Sequence, residues 1–293
     1  MRGKIIKGIA GFYYVHDGQS KIYECRAKGI FRNRNIKPLV GDDVDFTILD
    51  EENQEGNIDA IRQRHSQLIR PAVVNVDQAL VIFAVTQPEP NLNLLDRFLV
   101  MMNSQDIPVS ICINKTDLVC AAQLEKYRRI YEKSGCPLYF TTTCGGGQGI
   151  IPIRDLLRGR TTVLAGPSGA GKSSLTNLIQ PDARMVTGHI SEKIKRGRHT
   201  TRHAELIYVE KDTYLVDTPG FSSLELKQPE ADRLKDYFPE FAEYAVECKF
   251  LGCVHMKEPV CGVKNAMKMG KISSERYRNY QLLYQEIKDR RRY

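Results

Sequence analysis

No apolar run in this 293-residue sequence approaches the roughly 18 residues that a helix needs to cross a bilayer, so a membrane protein is not expected. The opening stretch, Met1-Arg2-Gly3-Lys4-Ile5-Ile6-Lys7, lacks the long apolar segment and small-residue cleavage site of a secretory signal. The chain is therefore expected to be cytoplasmic, with its eight cysteines reduced. Internal repeats and low-complexity segments are also missing, which excludes a repeat array and a disordered tail. What remains is the composition of a soluble globular protein, 42% hydrophobic and 27% charged with a mean hydropathy of -0.37. At roughly 100–200 residues per domain, that is length for two or three domains.

Carboxylates are scarce in two places. Residues 193–202 hold Lys193, Lys195, Arg196, Arg198 and Arg202 and no acid, while residues 264–293 hold nine Lys/Arg against Glu275, Glu286 and Asp289, a local charge of +6. The first 68 residues are nearly balanced, with eleven basic and ten acidic side chains. The net charge of +8 and the pI near 9.0 are thus concentrated. Clustered cations attract phosphate backbones by releasing counterions, which favours a nucleic acid as partner. A solvated basic face without a partner is the alternative.

The pattern along the chain divides it into three. In residues 1–69, short alternating runs at 5–9, 12–15, 21–26, 44–48 and 57–61 are separated by turn formers such as Asp17-Gly18 and Gly41-Asp42-Asp43. Five short strands predict a small barrel of OB type or an SH3-like one, which periodicity does not separate. In residues 70–227, strands at 79–85, 109–113, 138–142, 162–165, 206–209 and 214–216 alternate with helical segments at 93–104, 121–134, 150–157 and 171–179. This is an α/β layout with a mostly parallel sheet, interrupted by one antiparallel hairpin between the last two strands. In residues 228–293 cysteines, prolines and helices take over. Tyr280, Leu283, Tyr284 and Ile287 recur at the spacing of an amphipathic helix.

Residues 166–174 read Gly166-Pro167-Ser168-Gly169-Ala170-Gly171-Lys172-Ser173-Ser174, a G-x-x-x-x-G-K-[ST] loop between a predicted strand and a predicted helix. Its N–H groups can cradle phosphates, Lys172 can reach the β/γ-phosphates and Ser173 can ligate Mg²⁺. Asn114-Lys115-Thr116-Asp117 follows a strand directly and is similar to the guanine-reading box of GTPases. A carboxylate at Asp117 accepts from the ring N–H and exocyclic amine of guanine, whereas adenine would leave it facing a lone pair, at about 1–3 kcal/mol or more. The competing reading, a P-loop ATPase or kinase, needs Asp117 to be a helix N-cap. Thr141-Thr142-Thr143-Cys144 occupies the second base-side loop without the usual Ser-Ala pair, which predicts contact through backbone N–H groups. Asp217-Thr218-Pro219-Gly220 ends a strand, with Asp217 placed to hold Mg²⁺ through water and the Gly220 N–H to sense the γ-phosphate. The base box precedes the phosphate loop, the reverse of ordinary small GTPases, so the domain reads as circularly permuted.

Cys248, Cys253, His255 and Cys261 are spaced C-x4-C-x-H-x5-C. Three thiolates and an imidazole supply the four tetrahedral ligands of one structural Zn²⁺ and leave no open position. The expected fold class is α/β: a permuted P-loop GTPase domain (70–227), with an N-terminal OB-type β-barrel that binds RNA (1–69) and a C-terminal helical zinc-binding domain (228–293).

Barrel, permuted boxes and cysteine/histidine cluster in this order resemble the ribosome small subunit-dependent GTPase family (RsgA), as do Leu68-Ile69-Arg70-Pro71, Asn75-Val76-Asp77 and Gly197-Arg198-His199-Thr200-Thr201-Arg202. The resemblance implies a slow GTPase that turns GTP into GDP, is stimulated by the 30S subunit, binds 16S rRNA, and assists late maturation and release of assembly factors. Phe221 follows Gly220 where small GTPases carry a water-positioning Gln, so another residue must supply that contact. His199 is the candidate, the role the resemblance also implies, with RNA contact as its alternative. Thr201, or else Thr200, is placed to meet Mg²⁺. Arg196, Arg198 and Arg202 serve either the transition state or RNA. Gly169 stands where potassium-dependent GTPases carry Asn, so no monovalent-cation site is expected. No dimer interface is legible, and a monomer is expected. A sensor that binds nucleotide without meaningful turnover is the remaining rival.

Overall fold

The computed structural model describes residues 1–29, 31, 36–69, 72–180, 204–217 and 229–290. Five strands, β1 (Arg2–Ile9), β2 (Phe12–His16), β3 (Ile22–Ala27), β4 (Asp43–Asp50) and β5 (Glu55–Ile61), close a barrel in the order β1-β2-β3-β5-β4. The β3/β5 pair is parallel and the others antiparallel. A parallel closing pair is a Greek-key crossing, which assigns the OB type over an SH3-like meander. Alternation sends Ile5, Val15, Tyr23, Cys25, Val44, Phe46 and Ile58 inward, all buried. Each large apolar side chain among them contributes about 1.5–3 kcal/mol. The turn formers act as their chemistry predicts. Asp17 Oδ1 accepts the N–H groups of Gln19, Ser20 and Lys21 at 2.8–3.1 Å. Buried Asp42 takes both arms of Arg64 at 2.7 and 2.8 Å.

After a short ribbon, β6 (Gln67–Leu68) with β7 (Val73–Val74), come β8 (Gln78–Ala84), β9 (Val109–Asn114), β10 (Leu138–Phe140), β11 (Thr161–Ala165), β12 (Glu205–Glu210) and β13 (Thr213–Asp217). Helices α1 (Leu92–Asn103), α2 (Ala121–Tyr131), α3 (Ile150–Leu157) and α4 (Lys172–Ile179) alternate with them, and α5 (Gly262–Lys268) and α6 (Ser274–Arg290) follow. The chain forms two compact units.

The first unit, Met1–Ala79, Ile150–Ala165 and Ser173–Leu224, holds the barrel together with β11, β13 and β12. The β11/β13 pair is parallel and β12/β13 is the expected antiparallel hairpin. The barrel is fastened to that hairpin by Lys7 on Glu205 at 3.0 Å and by a 2.9 Å bond between His16 Nδ1 and the Tyr214 hydroxyl. Asn75 and Asp77 act structurally. The Asn75 amide donates to Gly41 O at 3.0 Å, and Asp77 accepts the Thr161 N–H at 2.7 Å.

The second unit, Leu80–Gly149, Gly166–Lys172 and Glu225–Tyr293, holds strands in the order β10-β9-β8. All of β8 and β9 is buried, as strands covered on both faces must be. Asn91 caps α1, accepting the Leu94 N–H at 3.0 Å. On α6 the expected apolar stripe of Tyr280, Leu283, Tyr284 and Ile287 is buried against Leu234, Phe238, Phe241 and Val263. One residue departs from expectation. Arg276, counted in the sequence among the basic tail, is 1% exposed. It binds Glu240 at 2.7 and 3.1 Å and also bonds Asp96 of α1, whose other oxygen accepts from Asn279 at 2.6 Å. Burial works to lower the guanidinium's pKa, and the Asp96 and Glu240 carboxylates more than reverse it, so the net shift is upward. Among the described residues no helix is long and apolar enough to cross a membrane.

Candidate functional site

β11 delivers the chain into the phosphate loop and α4 takes it away at Lys172. Gly166 has φ +140° and its Cβ would lie 2.0 Å from Ile82 O. Gly171 has φ +94° and its Cβ would lie 2.2 Å from the Asn114 amide nitrogen. Both positions require glycine, since any side chain would strike neighbouring atoms. The Lys172 ammonium donates back to the loop at Gly166 O (2.7 Å) and Pro167 O (2.9 Å). Ser173 and Ser174 are exposed in the first turn of α4.

The base box leaves the end of β9 fully buried at Asn114. Its amide donates to Ala170 O at 3.0 Å and its carbonyl oxygen accepts from the Thr141 hydroxyl at 3.0 Å. Two segments 56 residues apart, read independently as base reader and phosphate binder, therefore touch. Lys115 turns the chain at φ +63° and its ammonium donates to Gln87 O. Thr116 donates its N–H and its hydroxyl to Thr141 O, each at 3.1 Å. Asp117 does not cap the following helix, because α2 begins four residues later with Cys120 as its N-cap. Its carboxylate instead accepts from the Thr142 hydroxyl, which in turn accepts the Cys144 N–H at 3.1 Å. The Thr142 donation holds the exposed Asp117 carboxyl below its ordinary value, so it is an acceptor at neutral pH.

Thr142 is the residue the sequence reading missed, having assigned this loop only backbone contacts. The signal available was its position: a threonine just past a strand predicted to run to 142 but ending at Phe140. Thr141 and Thr142 leave the sheet, and their hydroxyls serve Asn114 and Asp117.

Asp217 closes β13. The β11/β13 pairing sets Val163 beside Val216, so the strand ending in Asp217 runs alongside the one entering the phosphate loop. Gly220, His199, Thr200, Thr201, Arg196, Arg198 and Arg202 lie outside the described residues.

The sulfurs of Cys248, Cys253 and Cys261 lie 3.6, 3.4 and 3.4 Å from His255 Nδ1, and Cys248 and Cys261 are 3.8 Å apart. All four ligand atoms lie within 4.8 Å of one another. A tetrahedron with bonds of about 2.3 Å to sulfur and 2.0–2.1 Å to nitrogen has edges of about 3.8 and 3.5 Å, so the donor set fits one zinc-sized ion. Burial pushes the Cys253 thiol up to about 12, which a coordinated divalent cation reverses. Burial, then the positive charge of Lys235, lowers the His255 pKa and keeps the imidazole neutral for ligation. Glu258 takes the N–H groups of Val254 and Met256 at 2.7 and 2.8 Å, and the Tyr277 hydroxyl donates to His255 O at 2.6 Å. His255 itself is held at φ +58°.

A family model described as RsgA GTPase matches residues 61–227, and one described as RsgA N-terminal domain matches residues 2–58. The chain belongs to the RsgA GTPase family. The small ribosomal subunit biogenesis GTPase RsgA of Agathobacter rectalis is 54% identical, with 100% of both chains covered. That of Alkaliphilus metalliredigens is 50% identical, covering 100% of this chain and 99% of its own. Two solved structures are similar over nearly their whole length. YloQ, described as a circularly permuted GTPase, has a TM-score of 0.78 at 40% identity over 99% of this chain and 95% of its own. YjeQ from Thermotoga maritima has a TM-score of 0.80 at 34% identity over 98% of each. This RsgA-family chain is a circularly permuted GTPase, and its reversed box order is the permutation.

Proposed function

We propose that this GTPase binds GTP with Mg²⁺, hydrolyses it slowly to GDP and phosphate, and is accelerated by the 30S ribosomal subunit, whose late maturation and release of assembly factors it assists. The names of the relatives support the ribosomal partner. The nucleotide reading is carried by one observation, the Asn114–Ala170 bond that joins base box to phosphate loop. In this reading Asp117 accepts from guanine, with Asn114, Lys115 and Thr116 holding its loop. The N–H groups of residues 166–174 and the Lys172 ammonium take the phosphates, while Ser173, Thr201 and, through water, Asp217 serve Mg²⁺. The ion supplies charge neutralisation on phosphate oxygens. Gly220 senses the γ-phosphate and His199 positions the attacking water.

Residues 1–69 and 228–293 act as rRNA-gripping modules on either side of the GTPase domain, residues 70–227, in a cytoplasmic monomer. Cys248, Cys253, His255 and Cys261 hold one structural Zn²⁺, which the fit of their spacing supports.

Single-turnover GTP hydrolysis with and without 30S subunits tests the whole reading. Turnover should rise when subunits are added, and ATP should not compete. Hydrolysis indifferent to subunits points to a nucleotide sensor, and equal displacement by ATP removes the guanine assignment. His199→Ala should keep GTP affinity and lose the stimulated rate.

A further inference from the structure

At the open end of the β12/β13 hairpin two acidic residues are paired. Glu205 begins β12, and its partner in the ladder is Asp217, the last residue of β13. Directly paired residues of an antiparallel ladder share one face of the sheet with Cβ atoms roughly 4.5–5.5 Å apart, and like charges placed so are destabilising. The register therefore sets a second carboxylate beside the one read as serving Mg²⁺. The barrel supplies the cation that this pair lacks. Lys7 of β1 reaches Glu205 at 3.0 Å, with the lysine side chain 11% exposed and the glutamate 42%.

A β-bulge aims that lysine. β1 and β2 pair Lys4 with His16 and Ile5 with Val15, but then Lys7 with Tyr14, so Ile6 is an extra residue. In an unbroken strand Lys7 would follow buried Ile5 onto the inward face of the barrel, and the bulge turns it out toward β12. His16 attaches the barrel a second time, through its Nδ1 bond to the Tyr214 hydroxyl and a ring contact with Tyr208 at 4.3 Å between centroids. By strand alternation Tyr208 and Tyr214 lie on the face opposite Glu205 and Asp217, so the barrel engages residues of both faces of the hairpin.

We propose that Lys7 is a positioning residue for GTP hydrolysis: by neutralising Glu205 it removes a second negative charge from beside Asp217, so that Asp217 serves Mg²⁺ and the γ-phosphate is not repelled. The inference rests on the reading of Asp217 as a Mg²⁺ residue. A bare carboxylate at the position opposite Asp217 acts on a triphosphate more than on a diphosphate, because the γ-phosphate is the group that reaches the Mg²⁺ side of the site. Lys7 as a mere fastener of the barrel makes a different demand, since loss of either partner would then have the same effect.

GTP and GDP affinities in Mg²⁺, with single-turnover hydrolysis, test this in the full chain. Lys7→Met should lower the ratio of GTP to GDP affinity about five- to tenfold and slow hydrolysis by a similar factor, as one added charge within about 10 Å of the γ-phosphate would. Glu205→Gln should keep wild-type values, and adding it to Lys7→Met should restore them. Lys7→Arg, which keeps the charge, should match the wild type. A double variant as impaired as Lys7→Met overturns the proposal, as does a Lys7→Met chain with an unchanged GTP-to-GDP ratio. Should Lys7→Met unfold the chain, Lys7→Gln carries the same expectations. Asp217→Asn separates the two readings. If it loses Mg²⁺-dependent hydrolysis while Lys7→Met is normal, the positioning role alone falls, whereas wild-type hydrolysis by Asp217→Asn overturns the Mg²⁺ reading and the proposal with it.

Discussion

At the nucleotide site the groups that set the geometry are bonded to the chain itself. Asn114 holds Ala170 and Thr141, Thr142 holds Asp117, and Lys172 rests on Gly166 and Pro167. At the C-terminal cysteine/histidine cluster the three sulfurs and one imidazole point at each other, and burial raises the Cys253 and Cys261 thiol pKa values. Hydrogen bonds, about 1 kcal/mol each between neutral groups and about 1.5–3 kcal/mol where Asp117 or Lys172 takes part, order the first site without any ligand. In the proposed reading the second site gains its order from the zinc ion, because converging thiolates repel until a cation neutralises them. The same contrast separates loss of function from loss of fold.

Metal removal tests that contrast most severely. Structural zinc contributes about 10–16 kcal/mol of apparent binding free energy in finger peptides, so chelation or Cys261→Ser should unfold the C-terminal module. The expected readout is loss of about one zinc per chain by elemental analysis, with a fall in helical ellipticity, while GTP-analogue affinity changes far less. Because burial lowers the His255 pKa, the imidazole should keep its metal through neutral pH and release it only in acid. Ellipticity retained in the chelated protein breaks the comparison.

Arg276→Met sharpens it, by asking what the same module loses when its metal is intact. Two carboxylates would stay buried without their cation, at about 3–5 kcal/mol in urea unfolding. Changing Asp96 and Glu240 to leucine together with Arg276→Met should recover most of that loss. Asp117→Asn probes the preformed site. In the proposed reading it removes two charge-assisted bonds to guanine, and it should weaken GTP by roughly 100-fold in a competition assay, at little cost to thermal stability. The same variant should favour xanthosine triphosphate, whose C2 carbonyl matches an amide donor.

Thr142→Val carries the smallest effect, about 1 kcal/mol or a fivefold loss of GTP affinity. It also has a sign in pH. A carboxyl whose pKa is depressed in the folded chain is ionised above that value and loses its charge as pH falls through it. Removing the Thr142 donor should raise the Asp117 pKa, so GTP binding should fail at a higher pH than in the wild type. Affinity profiles that superimpose after scaling would show that Thr142 does not tune Asp117.

The parts legible in the sequence share one property: their meaning lies within a dozen residues. The phosphate loop, the Asn114-Lys115-Thr116-Asp117 box and the cysteine spacing each specify local geometry. The stripe from Tyr280 to Ile287 is buried as its period requires. Arg276 lies four residues before Tyr280 and so on the same stripe, but its charge groups it with the exposed Arg278 and Lys288, and the period by itself does not say what would pair a buried guanidinium. Its burial follows from Asp96, 180 residues away. Thr142 was equally opaque, since its hydroxyl has a role only because Asp117 lies across from it.

Residue type and spacing alone set out the chemistry proposed for this protein, a guanine acceptor, a phosphate cradle and a four-ligand metal set, and the permuted order of its boxes. Tertiary structure decided which charges face solvent and which hydroxyl donates to Asp117. The physical reason is range. Backbone curvature, ligand spacing and helical period are set by neighbours along the chain, whereas desolvation and pairing depend on what folding brings alongside.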